Sequence, residues 1–135
     1  MKDEKVVATI RNPTSADSES LTSLREKYSS EQLLILKCDV TSLSDIESVF
    51  KETLEKFGRC DVVVNNAGIS LISEAEGTPD VDARMQFEVN FWGAANVSRE
   101  AIRIFREANT GGWLLNVTSI SGLIGVPVYS YNAAR

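Results

Sequence analysis

An α/β architecture with a parallel sheet follows from three features of this chain: short apolar runs rich in β-branched residues, amphipathic segments between them, and a polar or breaker residue closing each run. Lys5 to Ile10 is the first such run, ended by Arg11-Asn12-Pro13. Ser15 to Tyr28 sets Leu21 and Leu24 among polar residues and predicts a weakly amphipathic helix. Leu33 to Cys38 reads as a buried strand that stops at Asp39. Leu43 to Phe57 is the clearest helix, with Ile46, Val49, Phe50, Leu54 and Phe57 at helical spacing, Ser44 as candidate N-cap and Gly58 as stop. Val62 to Val64 is the next strand, bounded by Asp61 and Asn65. From Val81 to Phe91 the apolar residues alternate, the signature of a half-buried strand, yet Met85, Val89 and Trp92 also fit one helical stripe. Because Val97, Ala101, Ile104 and Phe105 continue with helical spacing, Pro79 to Ala108 is expected to be mainly helical. Trp113 to Val117 is a fourth strand and Gly122 to Tyr129 a loop. Strands alternating with helices in this way predict a parallel sheet covered on both faces.

Composition narrows the function. The chain has 135 residues, 43% apolar and 24% charged, with a net charge of −5 from 14 basic and 19 acidic side chains. That balance fits one globular domain and disfavours polyanionic partners, so neither nucleic acid nor membrane is expected. The longest apolar run, Leu33 to Leu36, is far too short to cross a bilayer. The charged start, Met1 to Lys5, does not resemble a signal peptide, and a cytoplasmic location is expected. Histidine is absent, which removes Ser-His-Asp and Cys-His nucleophiles and the commonest metal ligand. Cys38 and Cys60 are the only cysteines and form no CxxC pair, so no metal site is expected. Catalysis would have to use Ser, Tyr, Lys, Arg or carboxylates.

In parallel sheets ligands bind beyond the carboxyl ends of the strands. The residues found there are Arg11, Asp39, the turn Asn65-Asn66-Ala67-Gly68, and Thr118-Ser119. Each has a plain structural reading. Asn-Asn-Ala-Gly is a turn, Asp39 an acid at a helix start, Arg11 a solvated surface cation and Ser119 a strand-end hydroxyl. Asn90 could be a helix amide packed on backbone, and Tyr129 and Tyr131 loop aromatics. The small residue and glycine of the turn would let backbone approach a ligand, while the Asn amides cross-link neighbouring strands.

Taken together and in order, these motifs resemble those of the short-chain dehydrogenase/reductase family, from about Lys5 to Arg135. They are Asp39-Val40, Asn65 to Gly68 after a Val-rich strand, Val89-Asn90, Asn116-Val117-Thr118-Ser119, Gly122, Gly125, Pro127 and Tyr131 to Arg135. The resemblance implies that Asn66, Ala67 and Gly68 lie against the adenosine half of a dinucleotide. It implies that Asp39, followed by Val40, accepts from the adenine amino group. Arg11 stands where a basic residue pairs with the 2′-phosphate of NADP, which favours NADP(H) over NAD. Tyr131 would be the general acid/base and also touch the cofactor, with Ser119 hydrogen-bonding the same substrate oxygen and Asn90 helping to order water toward the basic residue. Arg135 occupies the place of the family's lysine, four residues after Tyr131, and keeps a positive charge without releasing a proton.

Three departures shape the expectation. The family's first strand and Gly-rich phosphate loop have no counterpart, since the first glycine is Gly58. Ser119 and Tyr131 stand one residue closer in sequence than the family pattern, and the C-terminal portion is not represented. The expected fold is an incomplete, doubly wound, Rossmann-like sheet, a partial NAD(P)-binding domain over residues 1–135 that is truncated at both ends. The expected function is NADP(H)-dependent hydride transfer with a small carbonyl or secondary alcohol, the chain by itself being inactive. The alternative is an inactive fragment or a non-catalytic dinucleotide-sensing or interaction module. The segment Asn90 to Ala108 resembles the family's dimerisation helix, so a homo-oligomer is expected.

Overall fold

The computed structural model describes residues 4–12 and 18–131. The expected helix start at Ser15 and the candidate Arg135 lie outside the described residues. The chain divides into two compact units, Met1–Cys60 and Asp61–Arg135.

The first unit is strand, helix, strand, helix: β1 (Val6–Ile10), α1 (Ser18–Lys27), β2 (Leu33–Lys37) and α2 (Leu43–Phe57). β1 and β2 run parallel in the register Val6↔Leu33 to Ile10↔Lys37. The ladder extends beyond its ends, Val6 N–H donating to Gln32 O and Cys38 N–H to Ile10 O. Parallel pairing needs a long crossover, and α1 supplies it. α2 buries Ile46, Phe50 and Thr53, one face of a helix whose other side is charged.

The N-cap of α2 is Ser42, not Ser44. Ser42 Oγ accepts from Asp45 N–H at 3.2 Å and donates to Asp45 Oδ1 at 3.0 Å. An acid three residues after the cap rewards Ser42, whereas Ser44 has Glu47 in that place but already lies inside the helix. Gly58 ends the helix as expected, at φ 72°, its N–H donating to Leu54 O at 2.8 Å.

The turn between β2 and α2 is held by Asp45. Its Oδ2 accepts from Asp39 N–H at 3.0 Å and meets Lys37 Nζ at 3.3 Å. Asp39 Oδ1 in turn accepts from Thr41 N–H at 2.9 Å and Thr41 Oγ1 at 2.7 Å. The Thr41 backbone N–H, then its hydroxyl and the Arg11 charge, hold the Asp39 carboxyl below the usual carboxylate range. The Asp39 N–H, then Ser42 and Lys37, do the same for Asp45. Burial, then the Asp45 and Asp39 charges, push the neighbouring Cys38 thiol up and keep it protonated.

The second unit contains β3 (Val62–Asn65), α3 (Asp80–Phe87), a π-helical segment (Glu88–Gly93), α4 (Ala94–Glu107), β4 (Trp113–Asn116) and a 3₁₀ turn (Ile120–Gly122). Asp80 to Glu107 is therefore helical, as expected, with a π insertion at its centre. The buried stripe is Ala83, Gln86, Val89, Asn90, Gly93, Ala101, Ile104 and Phe105. Met85 and Trp92, which share the sequence-predicted stripe with Val89, are half-exposed instead. The extra residue of the π turn rotates the helix face, so one uninterrupted 3.6-residue period cannot describe it.

β3 and β4 pair in parallel from Val62↔Trp113 to Asn65↔Asn116, with α3 to α4 as the crossover. Among the described residues the four strands thus form two parallel pairs, β1 with β2 and β3 with β4. Pleating puts Val63, Leu114, Asn65 and Asn116 on the face that meets α4. Val62, Val64, Trp113 and Leu115 occupy the other face and are exposed, so this pair is covered by helix on one face rather than two. No α-helix follows β4 among the described residues to cover it. Nor is any described helix long and apolar enough to cross a membrane.

Two predictions follow from the packing and the charges. A Cβ at Gly112 would clash with the Cδ1, Cε1 and Cζ atoms of the buried Phe105 ring. Gly112→Ala should therefore destabilise the protein by about 1–3 kcal/mol, read from chemical denaturation midpoints. The second concerns acid. Carboxyls whose folded pKa lies below the unfolded value contribute stability that is present above the unfolded pKa and lost as pH falls through the folded one. Melting temperature should drop between about pH 5 and about pH 2, and drop less in Asp45→Asn.

Candidate functional site

The carboxyl end of the second unit is organised by two asparagines. Asn65, the last residue of β3, is 7% exposed. Its Nδ2 donates to Ala94 O at 2.9 Å and to Asn116 Oδ1 at 3.0 Å, with Ser98 Oγ at 3.4 Å. Ser98 Oγ itself donates to Ala94 O at 2.7 Å. One amide thus ties β3 to its register partner on β4 and to the start of α4. This is the cross-link anticipated for the Asn turn.

Asn90, 4% exposed, lies in the π segment. Its Oδ1 accepts from Ile69 N–H and its Nδ2 donates to Ile69 O, both at 2.9 Å. The side chain acts as a one-residue β partner for the chain leaving β3. With both ends engaged to Ile69, the Asn90 amide holds this loop. Asn66, Ala67 and Gly68 are thereby strung between two anchored residues, Asn65 and Ile69, and are solvent-exposed. A backbone held at both ends yet open to solvent is suited to receive a ligand without reorganising.

Between these anchors lies a cavity of about 80 Å³ lined by Asn65, Ala67, Asn90, Ala94, Asn116, Val117 and Thr118. Ser119 follows directly after Thr118, half-buried, its Oγ accepting from Ser121 N–H at 3.3 Å. A hydroxyl that accepts one bond keeps its hydrogen to donate. Tyr131 is half-buried. The segment before it is tied to the loop after β3 by a Ser73↔Tyr129 bridge, Ser73 N–H donating to Val128 O at 2.8 Å. Val128 takes φ 61°, a left-handed backbone unusual for a β-branched residue. Among the described residues no group of three or more His, Cys, Asp or Glu gathers to hold a metal.

The first unit has its own strand-end cluster. Arg11 directly follows β1, and Asp39 and Val40 lie just beyond β2, at the same end of the parallel pair. Arg11 is exposed, and its charge is felt by Asp39. Every described site residue read from the sequence therefore falls at a strand's carboxyl end, apart from Asn90 on the π segment and Tyr131 on the final loop. Ala94, Ser98 and Ile69 were not legible as site residues, because their partners lie 21 to 33 positions away.

Residues 2–135 match the family described as enoyl-(acyl carrier protein) reductase. An uncharacterized oxidoreductase of Schizosaccharomyces pombe is 40% identical over 105 residues, 77% of this chain and 36% of that protein. The structure titled ElxO with NADP bound superposes with TM-score 0.84 at 28% identity, over 98% of this chain and 53% of the other. A Burkholderia phymatum short chain dehydrogenase/reductase in complex with NAD shares the fold, with TM-score 0.86 at 24% identity over 96% and 46% of the two chains. The chain spans less than half the length of the curated relatives it matches. With its strand-end asparagines, its parallel strand pairs and this match along nearly its whole length, the chain belongs to the short-chain dehydrogenase/reductase family.

Proposed function

We propose that this chain carries the adenosine-binding and catalytic segments of an NADP(H)-dependent oxidoreductase acting on a carbonyl or secondary alcohol. The observation that carries the reading is the double anchoring of the Asn66–Gly68 loop, by Asn65 to α4 and by Asn90 to Ile69, beside a small cavity. The residues fit a dinucleotide. Asn66, Ala67 and Gly68 offer exposed backbone at a strand end, and Asp39 offers a carboxylate fixed by Thr41. Arg11 offers a guanidinium whose planar fork suits a phosphate. The bound nicotinamide would supply or accept the hydride.

The chain's own residues would handle binding and the proton. Arg11 would hold the 2′-phosphate, and Asp39, with Val40 beside it, the adenine amino group. Ser119 Oγ would donate to the substrate oxygen. Tyr131 Oη would give that oxygen its proton in reduction and take it in oxidation, and would hydrogen-bond the cofactor. Arg135 would place positive charge near the phenolate. Asn90 serves this arrangement by positioning the loop.

Two measurements test the reading. Arg11→Asp should weaken NADPH binding roughly 10- to 100-fold, the range expected for losing charge-assisted hydrogen bonds, while NADH binding holds or improves. Equal losses for both cofactors, by titration calorimetry, would remove Arg11 from this role. Tyr131→Phe should lower turnover roughly 10²–10⁴-fold, as for loss of a general acid. NADPH binding with no turnover in either form would favour the dinucleotide-sensing module instead.

A further inference from the structure

We propose that Ser73 is a positioning residue for Tyr131, holding the segment just before the tyrosine in a left-handed turn at Val128; this rests on the reductase reading above, in which Tyr131 carries the proton. The strain at Val128 is the starting observation. Its φ of 61° lies in the left-handed region, where the Cβ of an L-residue crowds its own backbone and a β-branched side chain crowds it most. Among the described residues the other non-glycine residue with positive φ is Asn109, and asparagine tolerates that region. Val128 has no short polar side chain to ease the conformation. Its side chain is 41% exposed, so packing offsets little of the cost and the surrounding backbone contacts must do so.

Those contacts converge on Ser73. Ser73 N–H donates to Val128 O at 2.8 Å, Ser73 pairs with Tyr129 in a parallel bridge, and Ser130 Oγ donates to Ser73 O at 3.4 Å. Within the segment, Tyr129 N–H donates to Val126 O at 3.2 Å and closes the turn around Val128. Three consecutive residues, Val128 to Ser130, are thus tied to one residue of the loop after β3, and Tyr131 is the next in the chain.

The Ser73 end is itself held. Four residues earlier, Ile69 is gripped through both of its backbone groups by Asn90, at 2.9 Å each. The stretch from Ile69 to Ser73 therefore joins the turn assigned to the cofactor to the segment assigned to the proton. A general acid acts only within hydrogen-bond reach, so the residue that fixes its backbone governs whether it reaches.

The test uses the full chain with isotope-labelled tyrosine rings, the Tyr131 signal assigned by Tyr131→Phe, and hydrogen exchange read at the Ser73 amide. Val128→Gly takes the left-handed backbone without strain, so it should slow Ser73 exchange roughly three- to tenfold and leave the Tyr131 ring signal in place. Val128→Pro, with φ fixed near about −65°, should speed that exchange roughly tenfold, the scale of one net hydrogen bond, and move the Tyr131 signal. Unchanged or faster exchange in Val128→Gly would overturn the proposal, whether or not Val128→Pro folds. So would a Tyr131 signal that stays put when Ser73 protection is lost, because the turn would then have no hold on the tyrosine. NADPH added to the same samples separates the two claims. If NADPH does not bind, or binds without moving the Tyr131 signal of the parent chain, the reductase reading fails and the positioning role stands. An NADPH-induced shift of Tyr131 that is equal in the parent and in Val128→Pro would do the reverse.

Discussion

The second unit depends on the Asn65 amide. It sits where β3, β4 and α4 converge, and its Nδ2 faces the Ala94 carbonyl and the Asn116 side chain at once. A buried amide left without those acceptors would lose about 1–3 kcal/mol, so the three elements are obliged to meet in this arrangement. The register Asn65↔Asn116 is a consequence as much as a cause: a one-residue slip would turn Asn116 to the opposite face and part the two amides.

The π segment extends the same logic to the loop. A regular α-helix would carry Asn90 on a face set by a 3.6-residue period, whereas the insertion between Glu88 and Gly93 rephases it. In the observed conformation Asn90 meets both polar groups of Ile69. The four residues from Asn65 to Gly68 are thus positioned by the Ala94 carbonyl and the Asn90 side chain, from two parts of one long helical stretch. This arrangement explains how an exposed turn of small residues keeps a defined shape without a glycine in the left-handed region, since Gly68 is not among the residues with positive φ.

The first unit solves its strand-to-helix turn with charge. Asp45 caps through Ser42, receives the Asp39 N–H and pairs with Lys37, so the chain leaving β2 is fixed before α2 begins. That geometry leaves Asp39 bound to Thr41 and within the field of Arg11, a compact polar end on a βαβα unit. Asp39 thus bonds Thr41 in the turn that precedes the Ser42 cap, and that bonding is compatible with the recognition role proposed for it.

Local pattern determined the strands, the helices, the Gly58 stop and the placement of candidate residues at strand ends, because side-chain period and turn chemistry are short-range properties written in consecutive residues. The family motifs were legible for the same reason. What the tertiary structure decided was which particular contacts form, some near in sequence and some far. Ser42 rather than Ser44 caps α2 because Asp45 also answers to Lys37 and Asp39. Met85 and Trp92 leave the buried stripe because a π turn shifts the phase. Asn65 and Asn90 became anchors only when folding brought them to partners 21 to 51 residues away. A hydrogen bond across such a separation leaves no period in the sequence; only the packed chain reveals which of several asparagines is buried and which meets solvent.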